Sequence, residues 1–256
     1  MIVDLIFQVE ENKLIASSTY EMTLKTEKLP PIKAGQFAEV KIPSREDLIL
    51  RRPFCVYSVD SEKNSIKIGY ALRGKGTKEL SALKAGDEVQ VLLPLGNGFP
   101  AVEKGKKILL AGGGVGILPL LSVAESYLDN EVYCCLGFKD KNLVMKADEF
   151  KRLCKKAVFA TDDGSFGEKG FVAEVLERHI EDIQPDVIFA CGPEPMLKSL
   201  KKFSAVPTYV SLEQRMGCGI GACLVCACKI KKADGEHHLR VCKDGPVFLF
   251  DEVFYG

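Results

Sequence analysis

Four cysteines toward the end of the chain are spaced to do redox chemistry. Cys218, Cys223, Cys226 and Cys242 follow the pattern C-x4-C-x2-C…C. This is the plant-type spacing for a [2Fe–2S] cluster, whose two irons need four converging thiolates. Gly217, Gly219 and Gly221 punctuate the same loop. Glycines let the backbone approach closely and turn N–H groups toward cluster sulfurs. Zinc sites usually show two short Cys-x-x-Cys knuckles, whereas only Cys223 and Cys226 make one here. Cys228, two residues beyond the third cysteine, is read as a packed bystander. His237 and His238 precede the last cysteine and could serve a Rieske-type site, but four thiolates already suffice. His179 falls in a polar helical stretch and is read as solvated.

Other stretches suit phosphate. Arg51 and Arg52 open the run RRPFCVYS, and a guanidinium is a permanent planar fork that matches a pyrophosphate. RGKGTKEL places Gly74, Gly76 and Thr77 at a helix start, a phosphate cradle by its chemistry. GGGVG, residues 112–116, opens another helix, so its N–H groups and the helix dipole can take a pyrophosphate. It lacks the third glycine of the dinucleotide fingerprint. CGPEPM joins a strand end to a helix and places the Cys191 thiol at a cleft. Taken singly, each of these runs could also be a turn or a packing loop.

The elements that must position these groups change period near residue 104. Before it, short alternating runs at 2–9, 20–26, 36–42, 54–59, 65–71 and 88–93 are separated by Pro/Gly/Asn turns. Six such strands predict a closed antiparallel barrel with one short helix around Leu80. After it, strands at 108–111, 132–136, 157–161, 187–191 and 209–212 alternate with helices at 117–128, 147–154, 171–179 and 195–203. That order predicts a parallel sheet covered on both faces, with ligands at the carboxyl ends of its strands. The apolar run 108–124 holds four glycines and Pro119, so it reads as strand–loop–helix and not as a membrane span.

Composition narrows the classes. The chain has 256 residues, room for two or three small domains, and 46% hydrophobic residues, ordinary for a globular protein. With 35 basic and 35 acidic side chains, nothing points to nucleic acid or to a membrane surface. MIVDLIFQVEENK does not read as a signal peptide. Ten cysteines without an export signal point to a reducing, cytoplasmic compartment and a cofactor, not to disulfides.

Taken together, RRPFCVYS, GYALRGKGT, PLGNGF, GGGVGILPLL, TDDGSFGEKGF, CGPEPMLK, MGCGIGACLVC and VCKDGPVF cover nearly the whole chain. In this order they resemble the ferredoxin–NADP reductase superfamily, and within it the electron-transfer subunits of type B dihydroorotate dehydrogenases. The small subunit of an NADH-dependent ferredoxin–NADP oxidoreductase uses nearly the same parts. The resemblance implies an FAD-binding β-barrel at 1–102, an NAD-binding α/β domain at 103–210 and a small [2Fe–2S] domain at 211–256. It puts Arg52, Pro53, Phe54 and Cys55 on the first FAD segment, with Phe54 for the usual tyrosine and Cys55 for serine. Gly69, Tyr70 and Ala71 match the second segment, and Gly76 with Thr77 the third. Gly112, Gly113, Gly114 and Gly116, with Cys191, Gly192 and Pro193, match the nicotinamide-cofactor loops.

The implied path joins an FMN-containing dihydroorotate dehydrogenase catalytic subunit, the cluster, FAD and NAD in a heterotetramer of two subunits of each kind. A flavin must stand between NAD, which exchanges two electrons as hydride, and a cluster that moves one at a time. No convincing acid or base is placed for substrate chemistry, so dihydroorotate is expected to react on the partner. In the superfamily the 2′-phosphate of NADP lies over later strand ends of the α/β domain. Asp162 and Asp163 occupy one such end here. Their carboxylates would repel that phosphate and favour NAD, although Lys139 and Lys141 stand on the preceding loop. Both aspartates could also be plain turn formers.

Overall fold

The computed structural model describes residues 1–254 except Ser44 and Glu46. Among them, six strands close an antiparallel barrel: β1 (Val3–Ala16), β2 (Thr19–Lys25), β3 (Phe37–Val40), β4 (Arg52–Asp60), β5 (Ser65–Ala71) and β6 (Glu88–Leu95), in the order β1-β2-β5-β4-β3-β6. Alternation drives the closure. In β6, Val89, Val91 and Leu93 turn into the barrel core, while Glu88 and Gln90 alternate with them on the outer face. The short helix α1 (Lys75–Ser81) plugs one end with Leu80. β1 runs seven residues past its expected end, through the charged stretch Glu10–Lys13. Register shifts at Val9/Glu11 and Leu14/Ala16 keep that polar run paired to β2.

The second half alternates as expected: β7 (Lys107–Gly113), α2 (Ile117–Ser126), β8 (Glu131–Phe138), α3 (Ala147–Leu153), β9 (Lys156–Thr161), a short β10 (Glu168–Lys169), α4 (Val172–Glu177), α5 (Ile180–Ile183), β11 (Val187–Cys191), α6 (Glu194–Ser199) and β12 (Thr208–Ser211). The run 108–124 is indeed strand, tight turn and helix. Among the described residues no helix is long and apolar enough to cross a membrane. β7 shows why this sheet is two-sided. Ile108 and Leu110 enter one core, Leu109 and Ala111 the other, so the strand is apolar on both faces from Ile108 on. The first of these cores also takes in Tyr57 and Phe99 from the barrel half.

The C-terminal stretch adds a hairpin, β13 (Ala227–Lys232) with β14 (Gly235–Arg240), then β15 (Val247–Leu249) and α7 (Phe250–Val253). β15 pairs antiparallel with β12 and completes the sheet order β10-β9-β8-β7-β11-β12-β15. Its apolar core joins Cys226, Cys242, Ile230 and Phe248 to Phe37 and Leu95 of the barrel.

One buried polar cluster ties the barrel to the sheet domain. Glu21 on β2 is 1% exposed. It accepts a hydrogen bond from the Tyr57 hydroxyl and pairs with Lys146 Nζ at 2.5 Å, with Lys13 and Lys67 at 3.7 Å. Burial alone would raise the Glu21 carboxyl, but the bonds from Lys146 and Tyr57 hold it below its usual range. Lys146→Met should destabilise the protein by about 2–4 kcal/mol, because it strands a buried carboxylate. Urea titration checks this. Since the folded carboxyl titrates low, its contribution is present at neutral pH and is lost as pH falls through the folded value. The gap between wild type and Glu21→Gln should therefore shrink at acid pH.

Candidate functional site

The barrel, the sheet and the C-terminal stretch meet at a cavity of about 250 Å³. Of the segments expected at FAD, Pro53, Phe54, Cys55, Gly69, Tyr70, Ala71 and Thr77 line it. Strand geometry places them, since β4 and β5 are neighbours in the barrel. Tyr70 is buried between two rings, stacked on Tyr20 at 5.7 Å and tilted against Phe54 at 5.5 Å, and its hydroxyl donates to Asn12. Gly69 is required by a close approach: a Cβ there would meet Leu118 Cδ1 at 2.0 Å. Arg52 and Gly76 stand just outside the cavity wall and against each other, a Cβ on Gly76 reaching within 2.9 Å of Arg52 Nε. The Thr77 hydroxyl accepts from the N–H groups of Arg73 and Gly74, so it caps its own helix start while lining the cavity.

The nucleotide loops reach the same cavity from the sheet. Gly112 pairs with Cys191 across β7 and β11, so the two loops leave the sheet side by side. The glycines have different tasks. Gly112 is packed, its Cβ position falling 2.8 Å from Leu120, and Gly113 faces Met196 and Pro193. Gly116 lies against the Cys191 carbonyl and Gly192, where a Cβ would come within 2.7 Å. Gly114 alone of the four combines positive φ (+55°) with open space. Gly116 and Cys191 line the cavity. Burial pushes the Cys191 thiol up to about 12, and burial, with the nearby Glu213 carboxylate, raises Cys55. Both thiols are therefore protonated at neutral pH.

Asp162 and Asp163 lie apart from the cavity, at the end of β9. Asp163 is a turn former, accepting from Ser165 N at 2.9 Å and Ser165 Oγ at 2.6 Å. Asp162 makes no such turn bond; burial and Asp163 raise its carboxyl while Lys139 lowers it.

The four spaced cysteines come together as two pairs. The Cys223 N–H points to the Cys218 sulfur and the Cys242 N–H to the Cys226 sulfur. Backbone donors reach the sulfurs: Ala222 N and Cys223 N to Cys218 Sγ at 3.2 and 3.4 Å, and Cys242 N to Cys226 Sγ at 3.4 Å. Burial raises Cys218, but the N–H groups of Cys223, Ile220 and Ala222, with the Cys223 side chain, outweigh it and bring the thiol down to about 6. Among the described residues no three His, Cys, Asp or Glu converge on a point that could hold a single ion. Two pairs suit two irons, each taking two thiolates, so the donor set fits a [2Fe–2S] cluster. Cys228 faces Leu239 across the hairpin and packs on the adjoining core.

The histidines divide. His237 is held by Asp234 at 2.8 Å and His238 is exposed. His179 is not solvated, contrary to expectation. Its ring lies between Glu168 at 2.5 Å and Lys156 at 3.1 Å, because the two-residue strand β10, too short to leave a period in the sequence, brings Glu168 to it.

Several cavity residues carry no motif of their own. Phe37 enters from β3, and Leu212, Glu213, Gln214 and Met216 form a strap from β12 into the cysteine loop. Position is their one signal: they lie between a strand end and Cys218, where sheet ligands gather.

Comparison with known proteins follows this division. Residues 213–254 match the model described as the iron-sulfur cluster binding domain of dihydroorotate dehydrogenase B, and residues 110–202 the oxidoreductase NAD-binding domain. The chain is 43% identical over 251 residues to the dihydroorotate dehydrogenase B (NAD(+)) electron transfer subunit of Caldanaerobacter subterraneus subsp. tengcongensis, covering 97% of each. It is 42% identical to the same subunit of Bacillus caldolyticus, covering 96% of each. Among solved structures it is similar to an NADH-dependent reduced ferredoxin-NADP oxidoreductase, with a TM-score of 0.85 and 29% identity over 96% of this chain and 89% of that one. Phthalate dioxygenase reductase shares the fold at a TM-score of 0.63. With identity of this order over almost its whole length, the chain belongs to the family of dihydroorotate dehydrogenase B (NAD(+)) electron transfer subunits.

Proposed function

We propose that this chain passes electrons from a dihydroorotate-oxidising, FMN-containing catalytic subunit to NAD+, as the electron-transfer part of a cytoplasmic enzyme of pyrimidine biosynthesis. The assembly is a heterotetramer of two subunits of each kind. The observation that carries the reading is one cavity walled by the barrel segments, the sheet loops and the strap to the cysteine pairs. Pro53, Phe54, Cys55, Gly69, Tyr70 and Ala71 seat the FAD ring end, with Arg52, Gly76 and Thr77 toward its phosphates. Gly112, Gly113, Gly114 and Gly116, with Cys191, Gly192 and Pro193, receive NAD, and Asp162 its ribose. Cys218, Cys223, Cys226 and Cys242 ligate the cluster. Bound in this cavity, the flavin supplies the exchange between hydride chemistry and one-electron chemistry.

The chain's own residues position and insulate. Cys55 and Cys191 present neutral thiols, so the cavity carries no thiolate to oppose an incoming hydride. Phe54 and Tyr70, with Tyr20 stacked behind Tyr70, give the cavity an aromatic wall. Around the cysteine loop Ile220, Leu224 and Val225 are exposed. An apolar rim of this kind marks a docking face, and the catalytic subunit covers it.

Co-expression with the catalytic subunit tests the reading. The complex should reduce NAD+ with dihydroorotate, and the isolated chain should not. The likeness to the ferredoxin-NADP oxidoreductase structure supports a second reading, which would show instead as ferredoxin-linked NADP+ reduction without dihydroorotate. Nucleotide choice is a separate expectation. NADH should reduce the flavin about tenfold faster than NADPH, a difference of ~1.4 kcal/mol. Asp162→Ala should narrow the gap, while Asp163, engaged with Ser165, contributes less. Stopped-flow flavin bleaching reads both; equal rates for the two nucleotides would remove Asp162 from the site.

A further inference from the structure

The flavin cavity and the cysteine pairs share a wall. Phe37, Leu212 and Met216 line the cavity, and the same three side chains belong to or pack on the core that holds Cys226 and Cys242. The two cysteine pairs differ in depth. Cys226 and Cys242 are each 2% exposed, whereas Cys218 is half-buried and Cys223 exposed. The inner pair thus lies behind the wall, and the outer pair opens toward Ile220, Leu224 and Val225.

Phe37 is fixed from several sides. It sits opposite Cys55 in the β3–β4 register, is 5% exposed, and meets Gly96, where a Cβ would come within 2.9 Å of its ring. Met216 stands two residues before Cys218 on the strap. Gly245 and Pro246 close the far edge, with the Gly245 carbonyl accepting from Asn97 N at 2.6 Å and the Pro246 carbonyl from Leu212 N at 2.9 Å.

Electron exchange between two centres falls off steeply with their separation, and more steeply across a void than across packed atoms. A wall of packed apolar side chains lets electrons cross. We infer that Phe37 and Met216 form the electron bridge between the flavin cavity and the Cys226/Cys242 side of the cluster site. This rests on the reading that the cavity takes FAD and the cysteines a [2Fe–2S] cluster. In the NADH-driven direction, hydride leaves two electrons and one proton on the flavin. One electron crosses the wall and lowers the cluster charge by one. The second stays on the flavin until the partner's oxidised one-electron acceptor empties the cluster through the outer pair. The reverse direction uses the same wall.

The test uses the full chain with both cofactors, as wild type, Met216→Ala, Phe37→Leu and Met216→Leu. Flavin and iron content come first: wild-type protein lacking either defeats the functional reading and not the wall. Flash photoreduction then loads the flavin, and the cluster band reports transfer. Met216→Ala and Phe37→Leu should each slow transfer by about tenfold, since a void replaces packed atoms. Met216→Leu, close in volume, should restore it. Flavin reduction by NADH, measured in the same variants, accounts for any change at the cavity itself, and flavin-to-cluster transfer should slow beyond it. A second readout does not depend on turnover. In half-reduced protein the exchange part of the flavin–cluster magnetic coupling should fall, while the dipolar part, set by distance, stays. Unchanged transfer and unchanged exchange coupling in variants that keep both cofactors would overturn the inference. If Met216→Ala loses a cofactor, Phe37→Leu, which keeps an apolar side chain in place, decides alone.

Discussion

Cys226→Ser protein should carry almost no iron, against about two irons and two labile sulfides per wild-type chain, while Cys228→Ser should keep the full complement. The two positions are two residues apart, so spacing alone separates them weakly. Cys226 is 2% exposed and receives the Cys242 N–H on its sulfur. A serine hydroxyl there is a poor thiolate substitute. Cys228 lies on β13 opposite Leu239 and, among the described residues, receives no backbone N–H on its sulfur of the kind that reaches Cys218 and Cys226. Loss of the cluster should abolish dihydroorotate-dependent NAD+ reduction in the complex, yet leave NADH able to bleach the flavin. Iron and sulfide assays with an EPR spectrum of the reduced protein read the first part. Iron retained in Cys226→Ser, or lost from Cys228→Ser, would reverse the ligand assignment.

Arg52→Ala should weaken FAD binding by about 10- to 100-fold. Charged hydrogen bonds contribute roughly 1.5–3 kcal/mol each, and every 1.4 kcal/mol is about tenfold in affinity. Arg52 enters at the start of β4, its guanidinium donating to the backbone carbonyl of Leu50 and lying in the space that Gly76 leaves open. The fork is thus held in place between two chain segments before any ligand arrives. Arg52→Lys keeps the charge and loses the fork, so it should recover part of the affinity. Gly76→Val should reproduce the loss without touching the arginine, by pushing its Nε aside. Flavin fluorescence on serial dilution gives the constants. An Arg52→Ala protein that retains flavin as wild type does would place the phosphates elsewhere.

Chemistry that depends on residues close in sequence is legible in the amino-acid order itself. The C-x4-C-x2-C run, the glycine loops at strand ends and the six alternating strands are local patterns, because a loop around a cluster, a turn at a helix start and a pleated strand each impose short periods. The covered parallel sheet follows from the same logic. β1 outruns its alternating stretch because a charged run hides alternation when the outer face is solvated. The pairings β13–β14 and β10–β9 leave no such period, because their strands are short or polar and gain their stability from neighbours.

What only the tertiary structure decided is which distant residues meet. Nothing in the run EQRMGC says that Met216 and Phe37, 179 positions apart, share one wall, or that four equivalent cysteines sort into an inner and an outer pair. Glu21 finds Lys146 across the join between barrel and sheet only after both halves have packed. Such contacts carry no sequence period. They arise from burial, which brings together whatever side chains two closed surfaces present, and in this chain that burial sets Cys226 and Cys242 in a core that shares Phe37 with the cavity wall.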